Sequence, residues 1–316
     1  MTICAGCDIL WANSSFKTKI RVKENIMSDG LGLTTILGCL QAGEQFAHLD
    51  PAGWLPGLGA DQGQVLFANL QASWRPGLQR FDRDALQLYA TDSHPQLIAK
   101  MREWAMQQDP PPPGGRGSMY LISQVKELGK WRVPGQRVER GVGWNEFQLN
   151  ASFFTTGDDQ VGVVASVVAK NGDMVYMTRA PETVSGMDFY TTITEIELQM
   201  KPLPRVYDKV VPPCVNASIH PYLGWILGLV NGGNFISYAQ QGMEFGMNEF
   251  GFAVKEGAVI ETERSIQTAP RQFFLSPDGK AFLFWRRRAG VLYPASMFQF
   301  TRDDFRDPGD LAKIVE

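Results

Sequence analysis

Arg264 and Ser265, within Glu263-Arg264-Ser265-Ile266, form the bond whose chemistry is easiest to state. A protease with a trypsin-like pocket cleaves after Arg and binds an extended, solvated segment. The surrounding residues, 251–270, mix small, charged and β-branched side chains with no sustained period, which reads as an exposed loop or a strand without a partner. A loop of that length is uncommon in a compact domain and is usually functional. The chemistry expected here is therefore done to the chain, as bait, rather than by it. His48, His94 and His220 stand near no nucleophile-elbow or metal-spacing motif. Cys4-Ala-Gly-Cys7 has redox spacing but lacks the preceding strand and following helix of such a site, and with only Cys39 and Cys214 besides, no disulfide or metal framework can be argued. No catalytic residue, metal or cofactor is assigned, and the chain is not read as an enzyme.

Two strands must hold the bait by its ends. Met243, Phe245 and Met247 alternate with Glu244, Gly246 and Asn248, a strand with one buried face. Beyond the loop come residues 272–275, a Ser-Pro-Asp-Gly turn at 276–279 and an apolar run at 281–285. That run stops at Arg286, Arg287 and Arg288, which read as a solvated strand end. Elsewhere, residues 9–21 suggest a first helix, and 26–41 a buried strand turning into an apolar helix stopped by Gly43. Residues 50–63 read as loop and 65–74 as a strand. Leu97, Met101 and Trp104, with an early Pro95, mark an amphipathic helix over 94–108. The proline- and glycine-rich run at 109–117 is a surface connection, 141–200 is rich in short strands, and 221–230 is a short helix.

The 316 residues, 44% of them hydrophobic, can build one large core, and no clean linker divides them. A net charge of −3 argues against a nucleic-acid partner, which requires a concentrated basic face. No stretch approaches the roughly 20 apolar residues of a membrane span.

Four stretches, in order, resemble the serpin family. Asn248-Glu249-Phe250-Gly251 followed by small residues, with Phe282-Leu283-Phe284 beyond, is similar to the serpin hinge, reactive loop and closing strand. Glu24-Asn25-Ile26-Met27-Ser28 and then residues 31–38 resemble the strand-to-helix segment. Leu121-Ile122-Ser123 to Leu128-Gly129-Lys130-Trp131 resembles the central strand that ends in Lys-Gly-Lys-Trp. The resemblance implies an α+β serpin-like fold: large mixed β-sheets, an N-terminal helical region and a long exposed reactive loop at about 251–270, all in one domain spanning 1–316.

It also implies a mechanism. A protease cleaves the loop while bound by its acyl bond, and the loop then enters the main sheet as an extra strand and carries the protease with it. Arg264-Ser265 is the reactive bond, and Glu249, Gly251, Phe252, Ala253, Val254 and Ala258 belong to the hinge. Ser28, Ser123, Trp131 and Gln241 mark the region where the sheet opens. Because strands alternate faces, Phe252, Val254, Glu256 and Ala258 would turn inward, where small residues are expected. Phe252, with Lys255 and Glu256, is expected to oppose that entry by bulk and charge. Two readings follow: an inhibitor of a trypsin-like, Arg-specific serine protease, acting as a monomer, or a non-inhibitory serpin-fold binding or decoy protein. Asn13, Asn150 and Asn216 each begin a glycosylation pattern and, with the family, favour a secreted glycoprotein, although residues 1–11 show no signal peptide.

Overall fold

The computed structural model describes residues 28–106, 108–115, 117–157, 161–180, 183–203, 206–221, 223–254 and 271–314. Its middle layer follows from the strand Phe282–Arg287, which is apolar on both faces. Leu283 and Trp285 point into one core; Phe282 and Phe284 point into another. A strand alternates its side chains, so such a run must lie between two apolar layers. It is the third strand of a seven-stranded antiparallel sheet ordered Asp29–Leu31, Ser296–Phe300, Phe282–Arg287, Met174–Arg179, Val163–Val168, Ser152–Thr155, Lys201–Pro202.

The first core lies between this sheet and the helices Leu33–Ala47, Gln62–Trp74 and Asp188–Gln199. Against the other face packs a four-stranded sheet ordered Val215–Ile219, Met243–Asn248, Gly251–Val254, Glu127–Lys130. Only Lys126 separates Glu127–Lys130 from Tyr120–Val125, which pairs with Leu86–Thr91. A second four-stranded sheet, ordered Gln272–Phe274, Lys209–Val211, Glu146–Asn150, Gln136–Val138, receives the chain beyond the loop. No helix among the described residues is long and apolar enough to cross a membrane.

Several expectations are corrected. Residues 65–74 are not a strand but most of the helix Gln62–Trp74, started by Asp61, whose carboxylate accepts the Gln64 N–H at 2.7 Å. The first described helix does not stop at Gly43 but runs to Ala47; Gly43 lies within it, packed closely on the Leu121 methyl groups. Among the described residues of 221–230 the helical part is the single turn Gly224–Ile226, and the β-rich stretch 141–200 ends in the helix Asp188–Gln199. The anticipated helix over 9–21 lies outside the described residues.

Candidate functional site: the seated hinge

Residues 251–254 are not loop. Gly251–Val254 is a strand paired antiparallel on both sides, with Met243–Asn248 on one and Glu127–Lys130 on the other. The turn into it is fixed by Asn248, whose side-chain oxygen accepts the Phe250 N–H at 3.0 Å. Trp131, fully buried, closes the turn by donating its indole N–H to the Asn248 carbonyl at 2.8 Å. Glu249 is held from outside by the Arg137 guanidinium at 2.7 Å.

The expectation that Phe252 is too bulky to enter is corrected. Its ring is fully buried, 5.2 Å from Trp131 and 5.7 Å from Phe284 between centroids. Gly129, directly opposite in the register, supplies the room, since a Cβ there would overlap the ring. Val254 turns into the same core, whereas Ala253 faces the other side of the sheet.

Behind the hinge lies a charge cluster. Glu127, opposite Val254, contacts both Arg286 and Arg288, and Asp173 stands 3.5 Å from Arg286. Arg286 is 1% exposed and its guanidinium lies 6.0 Å from the Phe252 ring centre. Arg287 ion-pairs with Glu197. The arginine run is thus no solvated strand end: two of its charges are balanced in the interior by Glu127 and Asp173. Burial pushes the Asp173 carboxyl up, against the hydrogen bond from Asn171 and the Arg288 charge.

Below Val254, among the described residues, no strand lies between the two flanking segments, and a slot-like cavity of about 90 Å³ is lined in part by Ser123, Gln124, Gln241, Gln108, His220 and Val254. Gln241 closes its base: the amide accepts the Gly32 N–H at 3.1 Å and donates to the Gly32 carbonyl at 3.0 Å and to the Thr35 hydroxyl at 2.5 Å. Ser123 donates to the Thr35 carbonyl at 2.5 Å. The buried amide oxygens of Gln108 and Gln124 face no hydrogen-bond partner. Buried polar atoms left in this way favour whatever can pair with them. Cys39, bonded to Ser123, has its thiol pushed up by burial, with the Ser123 bonds opposing, and is not an activated nucleophile.

No protein-family model and no curated protein matches the chain by sequence. Solved structures do. Tengpin, a thermophilic serpin in the native state, superposes with a TM-score of 0.52 at 10% identity over 87% of this chain and 88% of its own. The chain has the serpin fold. A serpin from the trematode Schistosoma haematobium (TM-score 0.50, 11% identity, 86% and 93% covered) has it too, as does human thyroxine-binding globulin complexed with its hormone (0.50, 8%, 88% and 92%).

Within this serpin fold the site residues fall into separate groups. Glu249, Gly251, Phe252, Ala253 and Val254 lie together with Trp131 at the top of the sheet, and Ser123 and Gln241 meet through Thr35 at the slot. Ser28 belongs to neither group: its hydroxyl bonds the Thr301 hydroxyl at 2.9 Å and donates to the Asp304 carboxylate. Asn150 and Asn216 are exposed at a strand end and on an edge strand, respectively. Arg264, Ser265, Ala258, Lys255, Glu256 and Asn13 lie outside the described residues. Sequence reading missed Glu127, Arg286 and the role of Gly129. The last had a signal, a lone glycine inside a strand pattern, which marks close approach of another group.

Proposed function

We propose that this serpin-fold protein inhibits an Arg-specific, trypsin-like serine protease, presenting Arg264-Ser265 as bait and trapping the protease as its loop enters the sheet. One observation carries the reading: Gly251–Val254 is already seated as a central strand, with its inward side chains packed. With Gly251 opposite Lys130 and Ala253 opposite Gly246, the same register carried on would set residue 256 opposite Val125 and Met243, and residue 258 opposite Ser123 and Gln241. These four residues line the cavity. A strand continued in that register would therefore run along the slot.

Glu256 would turn inward there, and this favours a second reading, a serpin-fold binding or decoy protein that is cut without trapping. Against that, the unpaired amide oxygens of Gln108 and Gln124 at the slot are acceptors that a Glu256 carboxyl entering in its protonated form would satisfy. Incubation with trypsin followed by denaturing electrophoresis separates the two. A stable adduct at the summed mass, lost in Arg264→Ala, is expected of the inhibitor; cleavage after Arg264 with no adduct would establish the decoy.

A further inference from the structure

The outer face of the hinge strand is covered by a distant part of the chain. After the strand Ser296–Phe300, a capped turn at Arg302–Asp304 redirects the backbone, and Phe305 buries its ring against Phe282 and Trp144 at 5.9 and 5.6 Å. The next residues, 307–314, cross the sheet. Asp307 binds Arg137 at 2.7 Å, and the same guanidinium binds Glu249 in the turn before the hinge. The Gly309 carbonyl accepts from the Asn248 side chain at 3.1 Å. Leu311 and Ile314 then pack on Ala253 and Leu128. The closeness of this crossing is written into Gly246, the neighbour of Ala253: a Cβ there would overlap Ile314 and stand 3.0 Å from Leu311 and 3.1 Å from Pro308.

We propose that residues 307–314 form a strap that keeps Gly251–Val254 seated in the sheet, and that releasing it lets the hinge leave. Ala253 is fully buried with Leu311 and Ile314 of the strap packed against it, and Arg137 ties the strap to the hinge turn by two ion pairs at once. Removing one member of such a set loosens the others. The strap's consequence for inhibition rests on the function proposed above: a seated hinge has already begun the strand that trapping completes, so a released one gives a protease more time to cut and escape.

The strap is tested in the uncleaved full-length chain, with no protease present, by amide hydrogen exchange. Leu311→Asp with Ile314→Asp should speed exchange of residues 252–254 by about tenfold or more while the strand Phe282–Arg287 keeps its protection. Unchanged protection at 252–254 would overturn the strap. Should the double variant lose protection everywhere, Gly246→Ala decides, because its methyl group displaces Ile314 without placing a charge in the interface. Selective opening of the hinge in that variant supports the strap, and unchanged exchange overturns it. Trypsin trapping is measured separately, so a strap that works in a protein that traps nothing refutes the function and spares the strap, and the reverse result does the opposite.

Discussion

Phe252 and Gly129 show how two residues decide whether a strand can enter a sheet. A ring of this size needs a partner strand that gives up its side chain, and Gly129 does so at the register position directly opposite. Gly129→Ala should therefore force the ring out or shift the backbone, costing about 1–3 kcal/mol as overpacked cores do. Denaturant unfolding would measure this, and a loss below about 0.5 kcal/mol would mean that the ring is not held there. Trp131 contributes both its area and its bond to the Asn248 carbonyl. Trp131→Ala should cost about 3–5 kcal/mol, and a change under about 1 kcal/mol would remove this strand from the core. Glu127 and Arg286 carry a different lesson. The three arginines look exposed because their acidic partners, Asp173, Glu127 and Glu197, are remote in sequence.

At the scale of elements, the hinge strand depends on groups that titrate. The Asp307 carboxyl lies below its ordinary value of 3.8: partial burial is the largest single influence and raises it, but the Arg137 hydrogen bond, the Gly309 N–H and the Arg137 charge together outweigh that burial. The Arg137 guanidinium, held by Glu249 and Asp307, is raised above its ordinary value. A carboxyl depressed in the folded state stabilises fully above its unfolded value and stops doing so as pH falls through the folded one. Exchange at 252–254, corrected for its intrinsic pH dependence, should stay level between about pH 7 and pH 5 and rise below about pH 4 relative to Phe282–Arg287. A level ratio down to about pH 2 would contradict the role given to Asp307. Elements also mark where sequence reading stopped. The alternation of Met243, Phe245 and Met247 was legible because one face is apolar. The helix Gln62–Trp74 was not, because its buried face is Gln64, Phe67, Gln71 and Trp74. The two glutamines earn their burial by donating to the Trp225, Leu227 and Trp54 carbonyls, partners no hydrophobic period reveals. The hinge strand hid for a related reason: Gly251-Phe252-Ala253-Val254 has no polar face to alternate with, since one side meets the aromatic core and the other meets Leu311.

For the molecule as a whole, the seven-stranded sheet lies between two apolar cores, and the four-stranded sheet that holds Gly251–Val254 is the one with a cavity beside it. The family resemblance pointed to the serpin fold, but it could not say that Gly251–Val254 is already paired inside the sheet. In the proposed insertion Glu256 turns inward, so Glu256→Ala should raise the yield of trypsin adduct relative to cleaved product, as quantified on a denaturing gel; an unchanged ratio would mean that its charge is not what limits insertion.

The central claim is that the cut loop completes the strand begun at Gly251–Val254, and the melting temperature of the protein cleaved after Arg264, compared with that of the intact protein, tests it most directly. New pairing on both sides of the loop, together with partners for Gln108 and Gln124, should add at least roughly 5 kcal/mol, which at about 2–4 °C per kcal/mol is a rise of about 10 °C or more. An equal or lower melting temperature after the cut would contradict the account, because it would leave the slot empty and the loop outside.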